Sequence, residues 1–269
     1  MKQIVWNKVQ DNYVLISAMK KFIIGCLILL TACGPAVTVT QTPSTSLFPT
    51  ATVPPTPIPF TETPAPTPTL EASPTPFPRF FTNEFDSPLA SWAILQAGND
   101  SVPNVKVENS RLSLEIDSNY TWVYALYGAQ DYDSVHLDTK FVNNAMSPAS
   151  IGLICNYTDE NGWFEYNVTT DGTYNVLYGK WLSTGVADYL PVLNGSSGLI
   201  QQSGAEQQIG MTCSNGTLTL TINDQIIRNV DVSHYELRGG KVGLTTSSYE
   251  NTPVIASFDW VKVTPSVTP

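Results

Sequence analysis

The chain has 269 residues, with 13 Lys and Arg against 23 Asp and Glu, a formal net charge of −10, and 42% hydrophobic residues. An acidic chain with no basic cluster excludes nucleic acid and anionic lipid surfaces as partners, because both require a cationic face. The roughly 185 residues beyond Arg79 are enough for one sizeable core and one domain.

The N-terminus reads as an export signal. Lys20 and Lys21 precede the apolar run Phe22 to Leu30, and Leu30-Thr31-Ala32-Cys33 closes it with small residues and a cysteine. This is the pattern of a bacterial lipoprotein signal peptide, with the Cys33 thiol as the lipid acceptor. The run falls short of the about 20 apolar residues a membrane span needs, and Gly34-Pro35 breaks it at once. Residues 1–32 are therefore expected to be removed, with Met19 the expected true start. The mature chain would keep 9 basic and 22 acidic residues, a charge of −13, since Lys2, Lys8, Lys20, Lys21 and Asp11 depart. Its expected partner is the membrane, through a lipid on Cys33, and its expected location is the extracytoplasmic cell surface.

Residues 33–78 form the lipidated cysteine and a linker. Pro35 to Pro78 holds 13 prolines and 12 threonines in 44 residues, with only Glu62 and Glu71 charged. Such a segment cannot bury a core and lacks a backbone donor at every proline, so it reads as an extended, solvated stalk. Fully extended it would reach roughly 140 Å, at about 3.1 Å per residue.

The folded domain is assigned to 79–264, with 265–269 a short tail. Two cysteines remain there once Cys26 leaves with the signal and Cys33 carries lipid. Cys155 follows Ile151 and Leu153 at spacing two, and Cys213 follows Ile209 and Met211, so both sulfurs point to the core. In an exported domain this predicts a Cys155–Cys213 disulfide between neighbouring strands.

Alternation at period two predicts strands at Arg111–Ile116, Tyr120–Leu126, Val135–Val142, Ile151–Tyr157, Trp163–Val168 and Thr173–Tyr178. It continues with Gln208–Cys213, Thr217–Ile222, Gln225–Asn229, Lys241–Ser247 and Ala256–Val263. The separators Asn161-Gly162, Asp171-Gly172, Asn215-Gly216, Asn223-Asp224 and Gly239-Gly240 tolerate the positive φ of tight hairpins. No window shows helical periodicity. The fold class is all-β, an antiparallel jelly-roll β-sandwich.

Several stretches resemble concanavalin A-like jelly-roll domains. Phe85-Asp86 with Trp92 and Arg111-Leu112 resembles their opening. Gly152 to Tyr157 with Asp159 to Phe164 resembles their central strand pair. Cys213 to Leu220 with Asn223, and Phe258 to Val263, resemble their close. The likeness spans roughly 80–264 and is to the laminin G/glucanase type, including 3-keto-disaccharide hydrolase domains on stalked bacterial lipoproteins. These motifs are turns and core alternation, so they speak for fold more than activity.

Catalytic signatures are sparse. Family glucanases carry Glu-x-Asp-x-x-Glu on one strand; here Glu115-Ile116-Asp117 is followed by Tyr120 and Thr121 where the acid glutamate belongs, so the pair reads as a solvated strand edge. His136 and His234 stand far apart, without a recognisable nucleophile or zinc spacing beside them. No catalytic residue is assigned and no cofactor is expected. A structural calcium ion is a candidate, with Asp86 and Asp259 where first and last strands would meet.

What remains is a set of aromatic and polar residues. Tyr120, Trp122 and Tyr124 share one strand face. If Phe164 and Tyr166 point inward, then Trp163, Glu165 and Asn167 face outward, with Ile154 and Asn156 beside them. Tyr178 and Trp181 would extend the platform. Flat rings beside hydrogen-bonding groups suit a sugar, so Asn156, Trp163, Glu165, Asn167, Tyr178 and Trp181 form the candidate carbohydrate site. The function expected is a non-catalytic, surface-displayed module binding carbohydrate or a cell-wall or extracellular polysaccharide. The alternatives are a glycoside hydrolase or 3-keto-disaccharide hydrolase-like enzyme, and a structural or adhesive surface protein without a small ligand.

Overall fold

The computed structural model describes residues 77–266 apart from Met146. The signal peptide, Cys33 and nearly all of the stalk lie outside the described residues. Fifteen strands alternate with turns among them, and one 3₁₀ turn, Ser233–Tyr235, interrupts the pattern. They are β1 (Phe81–Asn83), β2 (Trp92–Gly98), β3 (Asn104–Glu108), β4 (Arg111–Ile116), β5 (Thr121–Tyr127), β6 (Val135–Asn143), β7 (Ser150–Thr158) and β8 (Gly162–Thr169). They continue with β9 (Thr173–Ser183), β10 (Val186–Ser196), β11 (Glu206–Ser214), β12 (Thr217–Ile222), β13 (Gln225–Asp231), β14 (Lys241–Ser248) and β15 (Val254–Thr264).

The strands form two antiparallel sheets, a jelly-roll sandwich as the alternation implies. The first sheet runs β13-β12-β11-β6-β15-β4-β3, with β1 paired to β15. The second runs β10-β9-β8-β7-β14-β5-β2. Period-two alternation places Leu112, Leu114, Leu137, Phe141, Met211, Leu220 and Phe258 of the first sheet against Val123, Leu153, Phe164, Tyr166, Val168 and Leu244 of the second, all nearly solvent-free. At about 25 cal/mol per Å² this apolar burial is the main stabilising term.

The cysteines do form a disulfide, with sequence separation 58. The bridge differs from the expected one in joining β7 of the second sheet to β11 of the first, not neighbouring strands. Both sulfurs point into the same core from opposite walls, so the link staples the sandwich across its thickness. The loop-entropy model gives such a link about 4 kcal/mol.

Four strands are not among those the sequence pattern predicts. β1 has only three residues, β3 pairs on one side only at a sheet edge, and β2 is apolar on both faces. β10 carries Pro191, which cannot donate to a ladder; it sits at a register shift on an edge strand, where that costs least.

Candidate functional site

The outer face of the second sheet carries a second, smaller core. Tyr124 and Leu126 of β5, Ile154 and Tyr157 of β7, Trp163 of β8 and Ala97 of β2 are buried together there, with Trp122, Trp181 and Tyr189 packed over them. The cause is the β9–β10 hairpin. The pairing of β9 with β8 ends at Trp163 opposite Gly179. Beyond that point Lys180–Ser183 and Val186–Asp188 pair only with each other and cross the sheet's outer face. At the crossing's end the Gly98 amide of β2, on the opposite edge, donates to the Gly185 carbonyl at 3.0 Å. Gly179 permits the crossing. A Cβ there would lie 2.5 Å from the Trp163 indole, closer than two carbon atoms can approach.

The rings interlock beneath this strap. Trp163 lies 5.1 Å from Trp181, 5.3 Å from Tyr157 and 5.6 Å from Tyr124, centroid to centroid. Trp122 stacks on Tyr189 at 5.2 Å, and the Tyr124 and Tyr189 hydroxyls are hydrogen-bonded. Glu165 is fully buried in this layer. The Trp163 indole donates to its Oε1 at 2.7 Å and the Asn167 amide to its Oε2 at 3.2 Å. Burial pushes the Glu165 carboxyl up; the bonds from Trp163, Asn167 and Tyr124 oppose the shift without cancelling it. Burial likewise pushes the Tyr124 and Tyr189 hydroxyls up, and Glu165 adds to both. Trp122 Nε1 and Thr245 Oγ1 are buried with no hydrogen-bond partner.

The expected platform is thus corrected in four respects. Trp163, Glu165 and Asn167 do point away from the main core, but they are 0%, 0% and 2% exposed, sealed by the strap instead of facing solvent. Asn156 leaves the face altogether. It adopts φ 54° at a register shift between Cys155 and Thr158, and its amide donates to the Gly239 carbonyl in a separate cleft at one end of the sandwich. Tyr178 lies on the inner side, against Phe164 and Tyr235, because it stands three positions from Trp181, an odd offset that reverses its direction. Tyr120 sits before β5 at φ 53°, off the shared face with Trp122 and Tyr124. Trp181 does join Trp163 as expected.

The same bulge brings in a residue that alternation would have put inside. Tyr157 turns to the outer face, where the Trp181 indole donates to its hydroxyl at 2.8 Å and the hydroxyl donates to Asp159 Oδ1 at 2.6 Å. Burial and the bond to Asp159 push the Tyr157 hydroxyl up. Trp181, Tyr157 and Asp159 line a cleft of about 530 Å³ between β2 and the strap, with Leu95 and Ser183 across from them. Unlike the sealed layer behind it, this cleft opens to solvent: Asp159 is exposed and Trp181 half-buried.

The remaining expectations fall elsewhere. Glu115 lies on the first sheet, where Lys106 Nζ at 2.7 Å holds its carboxyl below the usual range. β1 does meet β15; Asp259, named with Asp86 as a candidate calcium ligand, accepts from Arg111 Nε at 2.8 Å and lies 3.6 Å from Lys140 Nζ. Among the described residues no cluster of three or more His, Cys, Asp or Glu is placed to hold a metal.

No family model matches the chain, and no curated protein matches it in sequence. Solved structures match the domain in shape. A galectin-like-fold protein of unknown function from Bacillus subtilis superimposes with TM-score 0.52 at 12% identity, over 70% of this chain and 96% of that one. An endo-acting O-glycanase of the human gut microbiota gives 0.51 at 13%, over 70% and 99%. A mixed-linkage-glucan GH16 protein of Bacteroides ovatus, solved with a product, gives 0.50 at 9%, over 68% and 99%. At such identities the likeness is one of fold. The domain shares their jelly-roll sandwich fold.

Proposed function

We propose that this protein is a lipid-anchored, surface-displayed module that binds carbohydrate without turning it over. The observation that carries the binding reading is the open cleft of Trp181, Tyr157 and Asp159. The half-buried Trp181 indole, held by its bond to the Tyr157 hydroxyl, offers apolar surface to the face of a sugar ring, and the exposed Asp159 carboxylate accepts its hydroxyl protons. The cleft's volume suits one or two sugar units. The absence of turnover is supported by Glu165, whose two oxygens are already hydrogen-bonded and which lies out of reach of solvent, whereas glycoside hydrolysis needs two carboxyls flanking one accessible bond.

Lipid anchoring rests on the run from Lys20 to Cys33 and on a disulfide suited to an oxidising compartment. Mass spectrometry of the mature N-terminus should find a diacylglyceryl group on Cys33, and Cys33→Ala should move the protein from the membrane to the soluble fraction.

Affinity electrophoresis through neutral polysaccharides tests the cleft. Wild type should be retarded, and Trp181→Ala should lose at least tenfold in affinity at unchanged secondary structure. Release of reducing or 3-keto sugar by wild type would overturn the non-catalytic reading in favour of the hydrolase. Retardation untouched by Trp181→Ala would remove this cleft as the site.

A further inference from the structure

The outer face of the first sheet carries a polar array that the cleft beneath the strap does not involve. Strand register brings Thr264 of β15 opposite His136 of β6, His136 opposite Thr212 of β11, Thr212 opposite Thr219 of β12, and Thr219 opposite Asn229 of β13. Five hydrogen-bonding side chains therefore form one row at right angles to the strands, floored by a groove of about 670 Å³. The alternation that buries Cys213, Leu218 and Leu220 directs Thr212, Thr219 and Thr221 outward.

The row is internally ordered. His136 Nε2 lies 2.9 Å from Asp138 Oδ2, and Nδ1 lies 2.7 Å from Thr212 Oγ1. With Nε2–H donated to Asp138, Nδ1 accepts the Thr212 proton, which leaves the Thr212 oxygen as an acceptor for an outside donor. The Thr219 hydroxyl donates to Asn229 Oδ1 at 2.8 Å, which leaves the Asn229 amide as a donor. Gly210 makes a notch beside the row. A Cβ there would stand 2.4 Å from both Asp138 Oδ1 and Thr221 Oγ1, so these two groups close over a space that any larger residue would fill.

We propose that this groove is a second carbohydrate site, for an extended, neutral glycan laid across the strands of the first sheet. Neighbouring strands stand about 4.8 Å apart, close to the length of one hexose unit in an extended chain, so each unit meets one side chain of the row. The charge matches a neutral polymer. The chain's net charge of −10 repels polyanions. The threonine methyls and the exposed Ile226 supply the apolar contact that sugar C–H faces need. With the Trp181 cleft on the opposite sheet, the domain would hold two glycan segments at once and gain avidity from linking them.

Affinity electrophoresis through mixed-linkage β-glucan, xylan, galactomannan and dextran, with polygalacturonate as the charged control, separates the two faces. Thr219→Val with Thr221→Val removes hydroxyls and keeps β-branched shape, so the sheet should hold. Retention of that pair should fall at least fivefold on whichever neutral polymer retards wild type, while Trp181→Ala should leave a residual retention that the added valines abolish. Amide shifts on titrating the matching oligosaccharide should map to Thr212, Thr219 and Thr221. Retention of the valine pair equal to wild type, or its complete loss in Trp181→Ala alone, would overturn the second site and leave the first standing. Loss in the valine pair with none in Trp181→Ala would sustain the groove and sink the cleft. Retention by none of the four neutral polymers would overturn both.

Discussion

The two outer faces of this sandwich follow the same alternation and end in opposite states. On the second sheet, Trp122, Tyr124, Trp163 and Glu165 point away from the main core and are covered by a hairpin that crosses to the far edge. On the first, His136, Thr212, Thr219 and Thr221 point away from the same core and stay in contact with water. The difference lies in neighbours more than in the strands themselves. β9 and β10 outrun β8 by a full turn of hairpin, and the aromatic rings beneath give that overhang apolar surface to cover. The threonine row offers no such surface, and among the described residues nothing folds over it. A face pointing outward is thus not the same as a face open to ligand.

The sharpest way to break this contrast is Trp163→Ala. If the outer aromatic layer is a true core, the substitution should cost about 3–5 kcal/mol, as for other buried tryptophans. Chemical denaturation would register it as a lower midpoint at unchanged slope. A cost below about 0.5 kcal/mol would mean that the strap does not seal the layer.

Tyr189→Ala removes the ring that stacks on Trp122 and the hydroxyl that meets Tyr124. The expected loss is about 2 kcal/mol, in the range for large-to-small changes at partly buried sites. The more telling readout is acrylamide quenching of tryptophan fluorescence, which should rise as the strap loosens. Quenching equal to wild type would show that Tyr189 does not hold the strap down.

Glu165→Gln tests the buried carboxyl through pH. Its folded-state pKa is raised chiefly by burial. The folded state therefore holds its proton more tightly than the unfolded chain, and stability falls as pH rises from the unfolded value of about 4.3 through the folded one. The neutral glutamine escapes this penalty. Its melting temperature relative to wild type should climb between pH 4 and pH 8, with the two proteins converging or reversing at the acidic end. A difference constant over that range would show that Glu165 titrates normally.

Thr219→Val on the open face should do least, within about 0.5 kcal/mol, because a half-exposed hydroxyl in a strand contributes little to folding. Equal thermal midpoints beside a large loss for Trp163→Ala would complete the contrast.

Much of the fold was legible along the chain. β4 and β12 fall where alternation puts them, and the hairpin turns follow Asn-Gly and Asp-Gly pairs that accept positive φ. The candidate site was legible only in part. Trp163, Glu165 and Asn167 share a face, as period two requires, and Trp181 joins them. Asn156 and Tyr157 changed places because a single residue at φ 54° resets the alternation; asparagine tolerates that φ better than its neighbours, but the tolerance alone does not say that it is used inside a strand. His136 looked isolated because its partner Thr212 is 76 residues away and becomes adjacent only when β6 and β11 pair.

Taken alone, the amino-acid order determined the all-strand class, the inward direction of Cys155 and Cys213, and the outward direction of Trp163, Glu165 and Asn167, since each depends on near neighbours and a period of two. Tertiary structure decided that the disulfide spans the two sheets, that one outer face is roofed by β9–β10 while the other lies open, and that His136 stands between Asp138 and Thr212. Those outcomes depend on which distant strands pair and how far each outruns its partner, and long-range pairing leaves no trace in a local pattern.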